Sequence, residues 1–134
     1  MAFELGCRLR AAAREYKAPV LIQISSATGM IYFQCTSRPG VVPDNQRWAT
    51  RKRKMVLQLN RSTFFLGCKL RAEGRTVEQA FHLNEDEYAI HGGGFPIRVR
   101  GVEGIVGVIV VSGLPQHLDH QLIYQTIKAY LEEY

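Results

Sequence analysis

The side chains that could do chemistry gather between His91 and His120. The motif His91-Gly92-Gly93-Gly94-Phe95-Pro96-Ile97 opens this stretch, and Ser112-Gly113-Leu114-Pro115-Gln116-His117-Leu118-Asp119-His120 closes it. His117 and His120 stand three positions apart, which makes them neighbours on one face of a helix. Neutral imidazoles there could ligate iron or zinc, with Asp119 as a further oxygen ligand. A closed metal site needs about three or four ligands, and His91 could supply another if the fold brings the two motifs together. The plainer reading is structural: Asp119 complements the positive end of a helix and His120 makes an ordinary hydrogen bond. Gly92 and Gly93, with Gly94, could turn backbone amides toward an anion such as a carboxylate. They also suit a tight turn in which only glycine tolerates positive φ, and that reading weighs more.

Several other chemistries are absent. No Gly-Lys-Ser or Gly-Lys-Thr follows the glycines, so there is no phosphate loop, and the spacing of Gly101, Gly104 and Gly107 matches no dinucleotide fingerprint. Ser112 lacks the Gly-x-Ser-x-Gly elbow of a nucleophile. No paired carboxylates mark a hydrolase cleft. No catalytic group is therefore assigned, and whether the protein is an enzyme stays open. The basic run Arg51-Lys52-Arg53-Lys54 could meet phosphate. On a helix, however, consecutive residues spread around the whole circumference, and no aromatic base-stacking pattern accompanies the run. Solvated charge is the better reading, and nucleic acid is not a favoured partner. Trp48, Arg51 and Lys52 are candidates for a subunit contact, where tryptophan is enriched.

The elements that must position these residues follow from periodicity. Leu5, Leu9, Ala12, Ala13 and Tyr16 recur at helical steps, predicting a helix over residues 3–16 that Pro19 bars from continuing. Val20-Leu21-Ile22-Gln23-Ile24 and Met30-Ile31-Tyr32-Phe33-Gln34-Cys35 form a hairpin around a Ser-Ser-Ala-Thr-Gly turn. Asp44 or Asn45 can cap a helix carrying Trp48, Lys52, Met55, Val56 and Leu59 on one face. A further helix covers residues 62–70 and ends near Gly74. Thr76 to Gln79 and Asn84 to Glu87 match the capping-box spacing, so each should start a short helix, with Gly92 ending the second. A strand over residues 95–100 precedes a glycine turn, and the apolar run from Ile105 to Val111 should be central. Pro115 fits a first helical position in a last helix whose inward residues are Ile123, Ile127, Tyr130 and Leu131. Hairpins imply antiparallel pairing, and the helices must cover the sheet, so the fold class is α+β.

The totals agree with a single globular domain over residues 1–134, with 46% apolar and 22% charged residues. No apolar run approaches the roughly 20 residues needed to span a bilayer. The first residues lack a basic region followed by a long apolar core, so no signal peptide is read and a cytoplasmic location is expected. The net charge of +5 favours an anionic partner if it is focused on one face. Cys7, Cys35 and Cys68 form no Cys-x-x-Cys pair, so zinc knuckle and redox motif are unsupported. They are expected to be reduced and mostly buried.

The two glycine motifs with their histidines, together with Asp44-Asn45-Gln46-Arg47-Trp48 and Arg51-Lys52, resemble the haem-degrading-domain family, also called GlcG-like or HbpS-like. The similarity runs from the first helix to the last and is closest to an uncharacterised bacterial and fungal branch. The resemblance implies a profilin-like α+β fold, an antiparallel sheet flanked by helices, with about one strand beyond the four that periodicity finds. It implies a homo-oligomer assembled through helices and sheet edges. For some relatives it implies haem or iron binding, and for fewer, haem breakdown. The leading reading is thus a small oligomeric ligand-binding or assembly protein whose ligand is haem, iron or another small anionic molecule. The ligand would sit against His91, Gly92, Gly93, His117, Asp119 and His120, with a haem propionate suited to the glycine amides. A haem-degrading or related small-molecule enzyme and a protein-interaction module using Trp48 and the basic helix are the alternatives.

Overall fold

Two strands carry apolar side chains on both faces, and this dictates a sheet covered on both sides. In the computed structural model, which describes residues 1–133, these are β1 (Leu21–Ser26) and β4 (Gly107–Ser112), buried along their whole length. They pair antiparallel at the centre of a four-stranded sheet of order β2-β1-β4-β3, with β2 (Ile31–Thr36) and β3 (Gly94–Ile97) at the edges. Side chains alternate across a strand. Ile22, Ile24, Ile109 and Val111 therefore face one layer, where Leu5, Leu9, Leu122 and Ile123 of helices α1 (Ala2–Ala13) and α5 (Gln116–Glu132) cover them. Leu21, Val108 and Val110 face the other layer, against Ala49 and Val56 of α2 (Pro43–Leu59). The far side of α2 meets α3 (Thr63–Glu73) and α4 (Val77–Phe81) through Met55, Leu66, Leu70 and Val77. The fold is the expected α+β arrangement, an antiparallel sheet flanked by helices.

The structure corrects several local expectations. The first helix ends at Ala13. Asn84 starts no helix: its side-chain oxygen accepts from the Asp86 amide and its carbonyl from the Glu87 and Tyr88 amides, closing a local turn instead. Gly92 consequently ends no helix. Strand β3 stops at Ile97, and Pro115 caps α5 from an extended conformation rather than standing in its first turn. Tyr130 takes the inward position near the end of α5, leaving the next residue, Leu131, 63% exposed. Cys7 and Cys68 are exposed and Cys35 is half-buried. The additional strand is not found among the described residues, whose sheet has four.

Candidate functional site

Helix α2 carries Trp48 and Lys52 one turn apart, hence on one side. That side faces the end of β4, where the chain turns through residues 112–115 into α5. The glycine loop closes the third wall. The Val111 amide donates to the Gly93 carbonyl (2.8 Å), which draws His91 and the loop alongside the end of β4. Gly93 has φ +123°, and a Cβ there would lie 2.3 Å from the Val111 carbonyl oxygen and 2.6 Å from Lys52 Nζ. Only glycine lets the loop come this close. The three segments enclose a pocket of about 250 Å³ lined by Trp48, Lys52, His91, Ser112, Gln116 and Asp119, with Asp44 and Asn45 at the start of α2.

A buried ion pair forms the floor of the pocket. Lys52 Nζ donates to Asp119 Oδ2 (3.1 Å) and to the Val111 carbonyl (3.0 Å), and the two side chains are only 4% and 2% exposed. Asp119 Oδ1 accepts from the Leu114 amide (3.0 Å). Burial penalises both charges. It pushes the Asp119 carboxyl up to about 6, against the pull of Lys52 and of the Leu114 and Gly113 amides. It also lowers the Lys52 ammonium, against the opposing pull of Asp119. Both partners are thus biased toward their neutral forms.

His91 meets the indole of Trp48 edge-on, with ring centroids 4.8 Å apart. Burial holds its imidazole below the ordinary histidine range, and the positive charges of Lys52 and Arg51 push the same way. It is therefore neutral at neutral pH and able to donate or accept. The Arg51 guanidinium stacks over the Trp48 ring at 4.4 Å and donates to the Glu85 carbonyl. It thereby fixes the indole that forms one wall.

The fold thus brings together His91, Asp119, Trp48 and Lys52, with Gly92 and Gly93 shaping the loop. Lys52, expected at a subunit contact, is instead turned inward and neutralised within the chain. The glycine amides are mostly occupied: that of Gly92 donates to Gln116 Oε1 (3.1 Å) and that of Gly94 to Thr63 Oγ1 (3.0 Å). This favours the turn over an anion cradle. His117 and His120 lie outside the pocket lining. His117 is exposed. His120 stacks on Phe64 at 4.6 Å and lies near Phe95 and Tyr124, with its buried Nδ1 unpartnered. No group of three His, Cys, Asp or Glu side chains suited to a metal occurs among the described residues. The ligand set imagined from His91, His117, Asp119 and His120 is therefore not assembled in the chain: helical spacing makes neighbours of backbone positions but does not aim both rings at one point. Sequence reasoning missed Ser112 and Gln116 as pocket residues. It also missed the inward role of Lys52, although Lys52 shares an apolar helix face with Met55 and Val56.

Comparisons with known proteins bear on the family and the fold. Residues 1–128 match the family described as haem degrading protein HbpS-like. A UPF0303 protein of Streptomyces coelicolor is 41% identical over 132 residues, covering 98% of this chain and 82% of that protein. The crystal structure of the Ybr137w protein superposes with a TM-score of 0.93 at 34% identity, over 98% of this chain and 76% of that one. A PduOC–haem complex shares the fold with a TM-score of 0.77 at 18% identity, over 96% of this chain and 90% of that one. The chain belongs to the HbpS-like haem degrading protein family.

Proposed function

We propose that this HbpS-like chain is a homo-oligomeric ligand-binding protein that takes a small molecule into the pocket between Trp48, His91 and the Lys52–Asp119 pair. The observation that carries this reading is convergence: residues from α2, the glycine loop and the start of α5 meet around one cavity with perturbed titratable groups, a combination typical of binding sites. Haem is the ligand that the family description suggests. At about 250 Å³ the pocket lies below the range of roughly 300–1,000 Å³ that encloses drug-sized ligands. A porphyrin does not fit inside this pocket. What fits is a molecule of a few carbons, or one carboxylate edge of haem with the macrocycle outside and the neutral His91 imidazole as a candidate ligand at the rim.

Haem titration tests this. Binding through the pocket gives a Soret shift that His91→Ala abolishes and His120→Ala retains; no shift at micromolar haem removes haem as the ligand. The chain has one tryptophan, so quenching of Trp48 reports small carboxylates directly. Self-association is supported by the uncharged edge strand β2, where Ile31 and Tyr32 are 54% and 56% exposed; light scattering that returns the mass of a single chain would overturn it. A reducing, cytoplasmic setting suits three unbridged cysteines of which two are exposed.

A further inference from the structure

Ligand binding leaves the chemistry of Lys52 unused. Lysine is normally the most hydrated of side chains, yet this one is 3% exposed and lines a cavity large enough for a small molecule. Its amine has a proton acceptor of its own, Asp119 Oδ2, at 3.1 Å. His91, Ser112 and Gln116 supply further polar groups on the same walls. If the pair served only to tie α2 to α5, two apolar side chains would do as well, because burying both ions consumes most of what their attraction returns. Desolvation of a lysine amine is one way in which proteins make it a nucleophile; here Asp119 opposes that effect but stands ready to take the proton.

We propose that the pocket captures a small aldehyde or ketone as an imine on Lys52, with Asp119 carrying the proton; this rests on the pocket being the ligand site. The proton first moves from Nζ to Oδ2 along their hydrogen bond, leaving a neutral amine beside a neutral carboxyl, the direction in which burial already biases both groups. The Nζ lone pair attacks the carbonyl carbon, a C–N bond forms, and the C=O π electrons move to oxygen. A proton passes from nitrogen to that oxygen, giving the carbinolamine. The Asp119 carboxyl then protonates the hydroxyl, the nitrogen lone pair expels it as water, and a C=N bond forms. One carbonyl compound is consumed and one water released. The product is a protonated imine beside an ionised Asp119, so the charge pair is restored and no oxidant or reductant is needed. The volume restricts the substrate to a few carbons.

Reductive trapping tests this on the unmodified chain. The protein is incubated near neutral pH with pyruvate in one arm and glycolaldehyde in another, each with cyanoborohydride, and the adduct is located by peptide mass mapping. The expected result is one predominant adduct, on Lys52. Trapping with pyruvate identifies an acid-bearing carbonyl, and trapping with glycolaldehyde alone a neutral one. Lys52→Arg should abolish the adduct, and Asp119→Asn should slow its formation by about 100-fold, the usual contribution of a positioned proton donor. Labelling confined to the exposed Lys17, Lys69 and Lys128 overturns the proposal without recourse to any variant. Trp48 quenching by pyruvate with Lys52 unmodified overturns the imine and leaves the binding pocket standing. Absence of both quenching and adduct overturns both.

Discussion

Replacing Asp119 by asparagine keeps the shape of the side chain and its acceptor for the Leu114 amide, but strands Lys52. The ammonium group would then lie 4% exposed with only the Val111 carbonyl as partner. Removing one member of a buried ion pair costs about 3–5 kcal/mol, because an uncompensated charge remains. For 134 residues, an unfolding entropy of about 2.1 cal/mol/K per residue gives about 0.28 kcal/mol/K. The melting temperature should therefore fall by about 11–18 °C. Circular dichroism melts at pH 7 measure this directly. The double variant Lys52→Met with Asp119→Leu removes both charges, and should recover to within about 1–2 kcal/mol of the starting protein. An Asp119→Asn melt within about 4 °C of the starting protein would refute the reasoning. So would a double variant as unstable as the single one, since the loss would then not arise from charge.

Three further outcomes follow from the same geometry. Asp119 holds its proton to about pH 6 in the fold, against 3.8 ordinarily; ionisation therefore costs the folded state, and stability falls as pH rises through the window from about 4 to 6. Lys52→Met removes the charge that moderates this, so its deficit in urea denaturation should be larger at pH 8 than at pH 5, and a deficit independent of pH would contradict the assignment. Gly93→Ala combines φ +123° with a Cβ 2.3 Å from backbone oxygen and should destabilise by about 3 kcal/mol or more, whereas Gly74→Ala, at φ +66° with open space around it, should cost about 1–2 kcal/mol. His120→Phe retains an aromatic ring among Phe64, Phe95 and Tyr124 while removing the unpartnered Nδ1, and should stabilise by about 1–2 kcal/mol in the same denaturation assay.

Much of the fold was legible because its signals are local. The apolar runs of β1 and β4 announce strands covered on both faces, and the Ser62 and Thr76 caps mark where α3 and α4 begin. The same local rules failed at Asn84, where a side-chain turn competes with the capping box on equal terms. At the site, the residue types were legible and their pairing was not. Lys52 and Asp119 are 67 positions apart, and nothing in either neighbourhood encodes the other. Asp119 was legible as a residue at a helix start, and Lys52 as a polar residue on an apolar helix face that was read as a subunit contact; neither reading showed the ion pair.

The amino-acid order by itself determines where most of the helices and strands lie, which of their faces are apolar, and the family, since all three are carried by residues near one another in the chain. Only the tertiary structure decided that His91, Trp48, Lys52 and Asp119 share a pocket while His117 and His120 lie outside it. The physical reason is that strand order and the loop-to-strand bond between Val111 and Gly93 set those distances. Burial, which then shifts Lys52 and Asp119 toward their neutral forms, is a property of the assembled layers rather than of any single segment.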